Sequence, residues 1–263
     1  MYDAWSERHH LTPMRPTTYF KIVFATVGCS YMYNMACNST TPTTSSSIQP
    51  ALLWSDESFT FTADPQRPNG LHAVFFADFG LDNDVSMARL TNDTTVEAID
   101  LVLFGGDIAY DLRNNNSVNG NLFVNALQPL ASRRPMMMAV GNHEANGPHA
   151  PGHQLHDERE NFQQYTRRWR ALAEVTGKNS GSRSNFFYSW DQGITHFVVI
   201  MTEVYIYPNQ TAASDYPFQP EEQLAWLEQD LAKVNRTTHP WIVMMGHKVE
   251  IYEFFHHHSV FVN

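Results

Sequence analysis

The chain has 263 residues, with 17 Lys and Arg set against 27 Asp and Glu, for a net charge of −10 and a pI near 5.6. That length holds one large α/β domain, or one with an appendage, and buries a substantial core. An acidic balance without a basic stripe argues against a nucleic-acid partner, and no run reaches the roughly 18 apolar residues of a membrane span.

Two readings fit the first 66 residues. In one, residues 14–23 alternate apolar and polar after the Pro16 turn and form a strand, and residues 54–62 form a second. The Ser/Thr-rich stretch 38–47 between them predicts a loop. The competing reading takes Arg15 and Lys21 as the basic region of a leader peptide starting at Met14, with residues 22–33 as its apolar core. Ala36 and Cys37 would then flank the cleavage site. Cys29 and Cys37 allow one local disulfide or two free thiols. Asn-x-Ser/Thr sequons at Asn38, Asn92, Asn115, Asn209 and Asn235 point to a secreted glycoprotein.

Three apolar runs follow: 73–76 (Ala-Val-Phe-Phe), 101–104 (Leu-Val-Leu-Phe) and 136–140 (Met-Met-Met-Ala-Val). Each has the length and bounding glycines of a buried parallel strand. They lead into Ala77-Asp78-Phe79-Gly80, Gly106-Asp107-Ile108-Ala109-Tyr110 and Gly141-Asn142-His143-Glu144. Such strand ends are where α/β sheets keep their sites. Taken singly, each motif has an ordinary reading. Asp caps helices and turns, Asn tolerates a left-handed turn, and Tyr packs with a wet hydroxyl. The intervals of 29 (107 − 78) and 35 (142 − 107) residues each leave room for the crossover helix of a βαβ unit. Two carboxylates, a phenol, an amide oxygen and imidazoles suit hard or borderline cations, and one central Asp can bridge two of them.

Further along, residues 165–175 predict a helix with a solvated basic face of Arg167, Arg168 and Arg170. Residues 220–234 predict another, with Glu221 and Glu222 in the first turn and an apolar stripe of Leu224, Leu227 and Leu231. Residues 240–247 read as a strand that ends in Gly246 and a candidate ligand, His247. A cluster, His256-His257-His258, lies 9 to 11 residues beyond it (256 − 247 and 258 − 247).

With these motifs in this order, the chain resembles the purple acid phosphatases within the calcineurin-like metallophosphoesterases. That family's pattern runs Gly-Asp-x-Gly, Gly-Asp-x-x-Tyr, Gly-Asn-His-Asp/Glu, Val-x-x-His and Gly-His-x-His. The second and third match in full. Ala77 stands where the first has glycine but keeps Asp78, and Met244-Met245-Gly246-His247 fits the fourth loosely. Connecting segments 185–190, 195–203 and 223–231 agree, so the resemblance covers residues 70–252.

The resemblance implies an α/β (α+β) fold, a sandwich of two mixed sheets flanked by helices over residues 67–263. Residues 1–66 would be the remnant of a fibronectin type III-like domain. It also implies a binuclear centre of Fe(3+) with Fe(2+), Zn(2+) or Mn(2+). Asp78 and Tyr110 would hold the first metal, Asp107 would bridge, and Asn142 and His247 would hold the second. His143 would be catalytic, and His256 and His257 would line the substrate pocket. The implied activity is that of an acid phosphatase, hydrolysing small phosphate monoesters with metal-activated hydroxide. The implied setting is secreted or vacuolar-lysosomal, with homodimerisation as a further expectation.

The fifth motif, Gly-His-x-His, does not occur, which leaves five of the seven implied ligands. The chain is accordingly expected to be incomplete at both ends or a degenerate homologue. A weakly active or non-catalytic binder of metal and phosphate is the alternative function. A phosphodiesterase of the same superfamily is a nearer alternative, and Tyr110 argues against it.

Overall fold

A computed structural model describes residues 30–33, 36–39, 51–54, 58–62, 70–82, 84–95, 98–145, 162–206 and 217–248. Four short strands come first: β1 (Ser30–Tyr33), β2 (Ala36–Ser39), β3 (Ala51–Trp54) and β4 (Phe59–Thr62). β1 pairs antiparallel with β4, and β2 pairs antiparallel with β3. Of the single strand expected over 54–62, Trp54 ends β3 and residues 59–62 form β4, and these two strands pair with different partners. Asn38 and Ser39, expected in the loop, belong to β2, and the rest of that stretch lies outside the described residues. The strand expected over 14–23 lies outside the described residues. Phe59 is buried and Arg133 Nη1 donates to Thr60 Oγ1 at 3.3 Å, which seats β4 on the body of the molecule.

The next elements in order are β5 (Ala73–Phe76), β6 (Phe79–Gly80), α1 (Met87–Thr95), β7 (Leu101–Phe104), β8 (Ile108–Ala109), α2 (Val118–Ala126), α3 (Gln128–Ala131) and β9 (Met136–Met138). β5, β7 and β9 form a parallel sheet in the order β5-β7-β9, and β6 pairs parallel with β8. β7 is buried along its whole length, as its unbroken apolar run requires. β5 corrects the expectation of three buried strands. Among the described residues it lies at the edge and pairs only with β7, and Phe75 is 56% exposed.

The second half continues with α4 (Gln163–Arg168), a π-helical turn (Leu172–Gly177), α5 (Lys178–Ser180), β10 (Tyr188–Gln192), β11 (Thr195–Val199), α6 (Glu203–Ile206), α7 (Pro220–Lys233) and β12 (Trp241–Met245). β11 pairs antiparallel with β10 and parallel with β12, giving a mixed sheet. Alternation sorts the side chains. Leu101 and Leu103 of β7 pack with Met137, Tyr188, Phe197, Val199 and Met245 between the two sheets. Val102 turns the other way, onto Leu90 of α1 and Leu130 of α3. The result is the expected α/β sandwich of two sheets flanked by helices.

Two helical expectations change. The helix predicted over 165–175 is interrupted, with α4 ending at Arg168 before the π-helical turn. Arg168 is not on a solvated face. It is buried, its Nη1 donates to Asn121 Oδ1 at 2.9 Å, and desolvation lowers its guanidinium below the usual range. In α7 the buried stripe is Gln223, Trp226, Leu227 and Asp230, while Leu224 and Leu231 are only partly covered. The two polar residues belong there because each is bonded. Gln223 Oε1 accepts from Met201 N and its Nε2 donates to Met201 O. Asp230 accepts from Ser189 Oγ at 2.7 Å and pairs with His196 Nε2 at 2.9 Å.

Candidate metal centre

Strands β5, β7, β9 and β12 each run into one part of the site. Asp78 and Asp107 follow β5 and β7 in left-handed backbone, both with φ of 55°. Asp accepts that conformation because its short polar side chain bonds locally. The approach of the next loop depends on glycine. A Cβ at Gly141 would lie 2.2 Å from Asp107 Oδ1.

Asp78, Asp107 and His247 offer ligand atoms that all lie within 4.8 Å of one another. His247 Nδ1 faces Gly105 O at 2.9 Å, and a carbonyl only accepts, so the proton is on Nδ1. Nε2, 3.2 Å from Asp107 Oδ2, is the nitrogen left to coordinate. Burial pulls this imidazole down, but Asp107 outweighs it and raises the group to about 9. Burial likewise favours the neutral Asp107 carboxyl. The His247 hydrogen bond and the His143 N–H reverse that and hold it below the usual carboxylate range.

Tyr110 donates from its hydroxyl to Asp78 Oδ1 at 2.7 Å. Burial, followed by the Asp78 bond and charge, raises the phenol. Asn142 Oδ1 is buried without a hydrogen-bond partner among the described residues. A buried amide oxygen in that state is costly unless something else binds it. The chain neighbours of Asn142 touch the cluster, since Gly141 abuts Asp107 and the His143 N–H bonds Asp107 Oδ1. Oxygen donors, a phenol and an imidazole of this kind fit hard and borderline cations. The residues present therefore fit a metal centre.

Residues 58–259 match the family of calcineurin-like phosphoesterases. The chain belongs to that family. Acid phosphatase type 7 of Mus musculus is 35% identical over 196 residues, covering 72% of this chain and 38% of the relative. Purple acid phosphatase 22 of Arabidopsis thaliana is 31% identical over 179 residues, covering 66% of this chain and 36% of the relative. The chain thus spans well under half the length of these relatives. A purple acid phosphatase from yellow lupin (Lupinus luteus) seeds has the same fold, with a TM-score of 0.54 at 22% identity, over 85% of this chain and 37% of that one.

Sequence reasoning missed several residues that build this phosphoesterase site. Glu144 is buried, and its carboxylate accepts from the N–H groups of Asp107 (3.0 Å), Ile108 (2.8 Å) and Gly141 (2.8 Å). It ties the β7 and β9 loops together. Burial raises it to about 8 although those three bonds favour its charge. Asp111 holds His143 by Nδ1, and that bond raises the imidazole above its ordinary value. The signals were present, since Asp111 follows the Tyr110 motif and Glu144 closes Gly-Asn-His-Glu. Glu203, at the start of α6, is buried and raised to about 7 by desolvation. His256 and His257 lie outside the described residues.

Proposed function

We propose that this protein is an acid phosphatase that hydrolyses small phosphate monoesters at a binuclear metal centre. The observation that carries the reading is the convergence of Asp78, Asp107 and His247, and the orphaned Asn142 oxygen on the loop that abuts Asp107 supports it. Asp78 and Tyr110 would hold one cation, Asn142 and His247 the other, and Asp107 both. Fe(3+) with Fe(2+), Zn(2+) or Mn(2+) is the set to which the phenol and the mixed donors are matched. Bound there, such a pair supplies Lewis acidity toward phosphate and water.

His143 contributes acid chemistry. Its backbone N–H is fixed on Asp107 Oδ1 at 2.9 Å, and Asp111 occupies Nδ1. Nε2 is left 3.9 Å from Asp107 Oδ2, facing the cluster. As an imidazolium it would donate to the phosphoryl group or the departing alkoxide. Tyr110, its ring centroid 4.6 Å from that of His143, would wall the same mouth. Exposed sequon residues Asn92, Asn115 and Asn235 support a glycosylated protein of the secretory route, extracellular or vacuolar-lysosomal.

The test is hydrolysis of an aryl phosphate by protein loaded with iron and zinc, with metal content measured on the same sample. Turnover at acidic pH and a visible phenolate–iron band are expected, and Tyr110→Phe should bleach the band. Full metal occupancy without turnover would overturn the phosphatase reading and leave a metal-binding protein.

A further inference from the structure

His247 sits just past β12, an edge strand among the described residues, so its position is set by contacts on either side of it. Both come from one residue. Thr202 is fully buried after β11, and its Oγ1 accepts the Lys248 N–H at 2.9 Å. The same hydroxyl donates to Glu203 Oε2 at 3.2 Å, which leaves its lone pairs for Lys248. On the other side of His247, Gly246 lies against the Thr202 methyl. A Cβ there would come within 2.6 Å of Thr202 Cγ2. The bond from Ile200 N to Met245 O, 2.9 Å long, carries the pairing of β11 and β12 up to this point.

We propose that Thr202 is a positioning residue for the metal centre, gripping the Gly246–Lys248 turn through its hydroxyl and methyl so that His247 Nε2 faces Asp107. The inference rests on His247 as a ligand. The directed chain from Lys248 N–H through Thr202 O–H to Glu203 fixes the backbone after the imidazole, and the Gly105 carbonyl fixes the ring itself. Partners bonded to a metal ligand commonly set affinity by about 10–100-fold, and Thr202 acts in the same sense by holding both chain neighbours of His247.

The experiment is competition for Zn(2+) between the protein and a chromogenic chelator, alongside unfolding of the metal-free protein. Thr202→Val keeps the methyl and strands the Lys248 N–H. It should weaken zinc binding by about 10–100-fold. Thr202→Ser keeps the hydroxyl and should stay within about threefold of the unaltered protein. Gly246→Ala should weaken binding as Thr202→Val does. Adding Thr202→Ser to Gly246→Ala should restore it, because the clashing methyl is gone. That reciprocal rescue is available even where Thr202→Val fails to fold, and a general loss of stability would not produce it. Zinc affinity unchanged in Thr202→Val, or no rescue in the double variant, overturns the proposal. No zinc binding by the unaltered protein would instead overturn the metal-centre reading on which it rests.

Discussion

β7 and β12 each deliver a proposed ligand to the same candidate centre by opposite means. β7 is buried throughout, and Asp107 at its end is 3% exposed. β12 is an edge strand among the described residues, with Trp241 64% and Met244 40% exposed, yet the His247 side chain is only 4% exposed. A ligand on a core strand inherits its position from packing on both faces. A ligand on an edge strand is placed by a few directed bonds, here Gly105 O to the ring and Thr202 to the turn. The first arrangement is robust to loss of one bond and sensitive to loss of core volume. The second has the reverse sensitivity.

Four substitutions probe this contrast, beginning with the largest effect. Asp107→Asn removes the carboxylate shared by both metal positions, so metal content should fall along with turnover. Elemental analysis of the purified variant decides, and full occupancy would refute the bridging role. His143→Ala should keep its metals while the turnover number drops about 10²–10⁴-fold. An emptied site would make His143 structural. Leu101→Ala opens the volume between the sheets and should cost about 2–5 kcal/mol in denaturant unfolding. Trp241→Ser, on the exposed edge, should change stability by no more than about 0.5 kcal/mol. Equal costs for these last two would erase the distinction between the strands.

The ligand loops were legible because their chemistry is local. An Asp, Asn or His after an apolar run declares both the strand and its end, and Asp78, Asp107 and His247 converge from three such runs. Partners supplied from elsewhere in the chain were not. Nothing around Thr202 shows that Lys248, 46 residues later, will donate to it. Arg168 read as a solvated cation because its neighbours Arg167 and Arg170 are charged, whereas Asn121, its hydrogen-bond partner, lies 47 residues away. In α7 the leucines drew attention from Gln223 and Asp230. Those two are buried by virtue of partners on Met201, Ser189 and His196 rather than by hydropathy. Counting apolar residues finds a face to within one position but does not find a bonded polar group inside it. Edge strand β5 shows the same limit, since an apolar run does not reveal how many neighbours its strand will have.

The left-handed backbone at Asp78 and Asp107 also shapes how this centre can change over generations. At φ of 55° only Gly, Asn and Asp rest without strain. Asn and Gly are each one base change from Asp. Mutational drift away from metal binding therefore has two easy routes that leave the fold standing, one to Asn and one to Gly. Substitution by a β-branched residue would damage the backbone and the ligand together. At both positions this chain carries the aspartates that the proposed centre requires.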